Sequence, residues 1–158
     1  TKCRALLTIK YDEQVEYDLL EYLLTSHESL NIYRYSYRSH IELAHVLDLV
    51  VLDMDYARSL TFMINRIQKD IARLPHSKHD HQLNNYQKYV FEAFSKLRLV
   101  ESSKLAMTKS ETDYKREDLD TLLEELSDLL YKASQSISNT YFNHTDKQTQ
   151  LFTQSFPI

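Results

Sequence analysis

The sequence predicts an all-α fold, a bundle of about five helices, mostly antiparallel and joined by short connections. Three observations predict it. The 158 residues include no glycine, where average usage of about 7% would give roughly eleven. Glycine supplies the positive φ of tight hairpins and lets a backbone approach a phosphate closely. Its absence argues against the P-loop, the G-x-G-x-x-G dinucleotide fold and hairpin-rich β architectures. The two prolines lie outside the strongly periodic segments, and apolar residues recur at helical spacing along most of the chain.

The elements follow in order. A helix is expected from about Asp12 to Thr25, with Asp12 as N-cap and Val15, Leu19, Tyr22 and Leu23 on one face. Thr25 to Glu28 reads as a break and restart. Ser29 to Ser39 alternates tyrosine with polar residues, as a strand would. Tyr33/Tyr37 and Arg34/Arg38 are nonetheless i,i+4 pairs, and no partner strand is near, so this segment is assigned to helix. Ile41 to Leu52 is apolar on nearly every side and should be a central, buried helix.

Asp53-Met54-Asp55 ends that helix, and Asp55 can cap the next, about Tyr56 to Leu74, with Leu60, Met63, Ile64, Ile67 and Ile71 inward. Pro75 is its stop signal. After a polar loop, His76 to Gln82, a helix runs from about Asn84 to Thr108 with Tyr86, Tyr89, Val90, Ala93, Phe94, Leu97 and Val100 inside. Lys109 to Lys115 is a second polar link. The last helix, about Glu117 to Asn139, carries the stripe Leu119, Leu122, Leu123, Leu126, Leu129, Leu130, Ala133 and Ile137. Residues 143–158 form a polar tail with Leu151, Phe152 and Phe156 to anchor it.

The length fits one helical domain, 1–158. A net charge of −4 argues against a general binder of nucleic acid or anionic membrane. The single cysteine, Cys3, cannot form an internal disulfide, so a reducing cytoplasm is the expected setting. No apolar run approaches the ~18 residues of a spanning helix. The longest, Val46 to Leu52, is interrupted by Asp48. The chain opens on Thr1, not Met, so the expectation is a fragment of a longer protein.

Asp48 is the most informative charge. Ala44, Val51 and Leu52 share its helix face, and a buried lone carboxylate costs several kcal/mol or neutralises itself. A cationic partner is therefore expected, from Arg34, Arg38 or Arg58. The plainer reading is a structural ion pair between helices. The sharper one is an anion-binding or catalytic cluster that also includes Asp53. Tyr33, Arg34, Tyr37 and Arg38 have the aromatic and basic mix that suits single-stranded nucleic acid, but the acidic total opposes it.

His76, His79, Asp80 and His81 are metal-ligand types, yet their spacing matches no named motif, and a solvated link is the plainer account. Glu42-x-x-His45 is a single Glu-x-x-His, where a di-metal bundle needs two. No metal and no cofactor are assigned. Cys3 has no base fixed beside it, and no serine can sit in G-x-S-x-G, so catalytic residues stay unassigned.

The ordered set Tyr33-Arg34-x-x-Tyr37-Arg38, Val46-Leu47-Asp48-Leu49, Leu52-Asp53, Arg58-Ser59-Leu60 and Leu74-Pro75, with Leu126-Ser127-Asp128 to Thr140-Tyr141-Phe142, resembles the bacterial alpha-E domain family over roughly residues 18–144. The resemblance implies a helical domain, found alone or joined to a circularly permuted ATP-grasp ligase. It also implies neighbours that resemble transglutaminases or proteasome-like peptidases. The resemblance implies that the family's glutamate- and arginine-containing N-terminal helices are missing, so the expectation is the C-terminal part of such a protein. Ala57 stands where the family has proline, a mild preorganiser of a first turn.

The implied function is an accessory or interaction module of an ATP-grasp-associated peptide-ligation or peptide-modification system. Its partner would be the ligase, the missing N-terminal half or a second copy. The rival is an enzyme or anion-binding subunit that uses Arg34, Arg38, Asp48, Asp53 and Arg58 on a peptide or phosphate. Convergence of those five on an open cleft would favour the rival.

Overall fold

In the computed structural model, α6 (Asn85–Leu99) and α8 (Glu117–Tyr141) form the spine of the molecule. They run antiparallel: Tyr86 near the start of α6 meets Tyr141 at the end of α8, and Lys96 meets Glu125. The structure describes residues 2–75, 82–110 and 112–142. The remaining helices are α1 (Lys2–Thr8), α2 (Glu13–Ser26), α3 (Leu30–Tyr37), α4 (Leu43–Leu47), α5 (Leu60–Ile71) and α7 (Ser102–Ala106). The fold is all-α. Eight α-helices and one π-turn, Asp48–Leu52, stand among the described residues where about five helices were expected.

The difference in count has local causes. The helix expected over 41–52 begins at Leu43 and widens after Leu47 into the π-turn, closed by the Asp53 amide on the Asp48 carbonyl at 2.8 Å. The wider turn keeps Leu49 and Val51 in the core. The next helix starts at Leu60, not Tyr56. Its cap is Ser59, whose hydroxyl accepts from the Phe62 amide at 3.0 Å. The helix expected over 84–108 breaks at Val100 and Glu101, both extended, and the bend lets Leu105 of α7 bury against α4 and α8.

The long stripes behave as expected. Tyr86, Val90, Ala93 and Leu97 of α6 are buried, as are Leu119, Leu122, Leu126, Leu129 and Ala133 of α8. On α2 the buried face is Leu20, Leu23 and Leu24, while Val15 (45% exposed) and Tyr22 (70%) look outward. On α5, Ile64 and Ile71 are buried and Met63 and Ile67 are exposed. Both helices carry an apolar arc wider than the surface that covers it.

Two helices end without glycine where a left-handed residue is wanted. Glu28 (φ 53°) and Arg38 (φ 47°) take that conformation after α2 and α3. Residues 8–10 pair with 114–116. The Lys10 amide donates to the Tyr114 carbonyl (2.7 Å) and the Arg116 amide to the Thr8 carbonyl (2.8 Å). Among the described residues no helix is long and apolar enough to cross a membrane.

Candidate functional site

The corner where α3 turns into α4 and the π-turn holds most of the residues singled out above. Tyr33 is fully buried and pins the connection: its hydroxyl donates to the His40 carbonyl (2.9 Å) and accepts from the Glu42 amide (3.1 Å). One turn on, the Tyr37 ring lies 5.0 Å from Tyr33 and stacks on His45 at 4.8 Å. The Tyr37 hydroxyl donates to Asp48 Oδ2 at 2.7 Å. Partial burial, then the bond to Asp48 and the charges of Asp48 and Asp53, push the phenol well above its ordinary range. A phenol held protonated in this way positions a carboxylate and does not trade protons near neutral pH.

His45 completes the corner. Its Nδ1 lies 3.4 Å from Ser39 Oγ and 4.0 Å from Glu42 Oε2. One ring nitrogen faces both groups, so the imidazole cannot relay between an acid and a serine as a triad requires. Glu42 and His45 are thus neighbours without forming a metal site. Among the described residues no group of three or more His, Cys, Asp and Glu could hold a metal ion. His76, His79, Asp80 and His81 lie outside the described residues.

Asp48 is exposed, not buried, and its partner is Tyr37, not an arginine. The apolar face of α4 is Leu43, Val46 and Leu47, and Asp48 projects on the opposite side. Arg34 pairs with Glu21 at 3.2 Å, and Arg58 with Glu28 at 2.5 Å. Arg58 also donates to the His27 carbonyl, and its guanidinium holds the Glu28 carboxyl below the usual range. The Arg38 side chain has no partner among the described residues. Asp53 Oδ1 accepts from the Asp55 (2.7 Å) and Tyr56 (3.0 Å) amides, so it organises the turn before α5. Asp48 and Asp53 both act on the Tyr37 phenol, and none of the three arginines pairs with either aspartate.

Sequence reasoning missed Arg116, whose guanidinium makes four hydrogen bonds among the described residues. Arg116, 3% exposed, donates to the carbonyls of Ala106 (3.0 Å), Leu7 (3.2 Å) and Ile9 (2.6 Å) and to Glu16 Oε2 (2.6 Å). The fork ties α1, α2 and α7 to the start of α8. Arg116 falls between the polar link Lys109 to Lys115 and the helix expected from Glu117, so the pattern held no signal for it. Beside it, Asp120 receives Arg4 (2.5 Å) and Lys115 (2.6 Å), and these cations lower its carboxyl to about 2.

Residues 1–142 match the family model Alpha-E, described as a predicted alpha-helical domain with a conserved ER motif. No Glu in the chain is followed directly by Arg. No curated protein and no solved structure matches.

Proposed function

The chain belongs to the Alpha-E family, and from that premise we propose that it is an interaction module, the helical accessory domain of a peptide-ligation or peptide-modification system whose chemistry is done by an ATP-grasp ligase. The supporting observation is how its side chains are used. Of the five charged residues that could have formed a reaction centre, Arg34, Asp48, Asp53 and Arg58 are engaged separately, in pairs and a turn, and the Arg38 side chain has no partner among the described residues. Apolar side chains on α2 (Val15, Tyr22) and α5 (Met63, Ile67) stand open instead. Exposed apolar side chains grouped on helix faces suit contact with a protein surface. Such a system works in the cytoplasm, where ATP is at hand.

The test is calorimetric titration of the chain into a purified ATP-grasp ligase of the same genome, with sedimentation of each alone. The reading expects a complex that the Tyr22→Ser/Met63→Ser double variant weakens at least tenfold. A monomeric chain that neither binds the ligase nor takes up an apolar dye would remove it.

A further inference from the structure

We propose that the cleft between the first turns of α2 and the start of α4 takes the basic side chain of a peptide, an arginine or a lysine. The cleft has a volume of ≈ 440 Å³, within the span of small-ligand sites. Its floor is apolar, built from the buried Leu20, Ile41 and Leu43. One wall is Tyr17, stacked on His40 with ring centroids 4.7 Å apart. Glu13 and Glu42 stand exposed on the rim. Neither is paired with a lysine or arginine among the described residues, and the charged-type neighbour of Glu42 is His45 at 4.0 Å.

The charges sum in one direction. Glu16 also lines the cleft, but Arg116 neutralises it at 2.6 Å. The positive end of the α2 dipole offsets roughly half a charge. Two rim carboxylates outweigh that. An apolar floor under an acidic rim suits a group with a methylene stem and a cationic head, which can lie along Leu20 and Ile41 while its head reaches Glu13 and Glu42. The aromatic wall adds attraction for a guanidinium in particular. A small hydrated cation would gain nothing from the floor. This inference rests on the cleft alone and stands or falls separately from any association with a ligase.

The experiment titrates the whole chain with Nα-acetyl-arginine N-methylamide and with its citrulline counterpart, which has the same shape without the charge, and follows aromatic and amide resonances. Saturable shifts centred on Tyr17 and His40 are expected for the arginine probe, with binding at least tenfold weaker for citrulline. The Glu13→Gln/Glu42→Gln double variant should lower arginine binding roughly two- to fivefold per carboxylate. Both residues are exposed, so the variant should keep its thermal transition. Glu125→Gln, remote on α8, should change nothing. Equal binding of citrulline, shifts centred elsewhere, no saturation, or a double variant that binds as the parent does would each overturn the proposal.

Discussion

The Tyr37 hydroxyl and the Asp48 carboxylate meet at 2.7 Å across the corner between α3 and the π-turn, and this bond ties the tyrosine-rich helix to the apolar one that follows it. Removing the hydroxyl by Tyr37→Phe should cost about 1 kcal/mol, since the acceptor is charged but faces water. Asp48→Asn should cost less, because an amide oxygen still accepts. Urea denaturation of the two variants and their double would show a coupling of the same sign and size.

The same bond predicts an alkaline limit. The Tyr37 phenol titrates above its ordinary range in the folded state, chiefly through burial and then through Asp48. A raised folded value means stability that is whole below the unfolded tyrosine value, about 10, and lost as pH rises beyond it. Stability measured from pH 9 to 12 should fall more steeply for the parent than for Tyr37→Phe.

Arg116 should be the least replaceable charge. Arg116→Ala leaves Glu16 and three carbonyls without their donor, and breaking a buried pair on one side typically costs about 3–5 kcal/mol. Arg116→Lys should recover little, because an ammonium cannot span the fork's geometry. Chemical denaturation measures both.

At acid pH the first part to loosen should be α1. Asp120 is lowered to about 2 by its bond to Arg4 and then Lys115. A depressed carboxylate contributes above its unfolded value, near 4, and loses that contribution as pH falls toward 2. Amide exchange of residues 4–8 should accelerate across that window, ahead of α6 and α8. In Asp120→Asn it should already be fast at pH 5.

Arg38→Gly should stabilise the protein by about 1 kcal/mol, because Arg38 holds a left-handed conformation at φ 47° and its side chain has no partner among the described residues. Glu28→Gly should gain less, since it relieves φ 53° but gives up the pair with Arg58. Thermal melts of the two variants give the comparison.

The parts of the fold that were legible are those where one periodic signal runs long. α8 keeps a single stripe from Leu119 to Ala133, and α6 does so from Tyr86 to Leu97. Val15, Tyr22, Met63 and Ile67 were misplaced because their helices have more apolar surface than neighbours to cover it, and periodicity cannot say which half is covered. The π-turn and the break at Val100 carry no proline, and a chain without glycine lacks the other usual punctuation. Asp48 was misread for a related reason. Its apolar neighbours in sequence are real, but the inward face is set by Leu43, Val46 and Leu47, and Asp48 faces away from it. The resemblance drawn from short segments held over the length of the domain, while the pairing of each arginine depended on distances that sequence does not contain.

The fork of Arg116 joins residues about a hundred positions apart, from Leu7, Ile9 and Glu16 to the threshold of the final helix. During synthesis, α1 and the start of α2 therefore cannot be tied down until that arginine has left the ribosomal exit tunnel. Docking of residues 7–16 waits on a residue about a hundred positions further along, and any truncation that stops before residue 116 should leave α1 without its anchor.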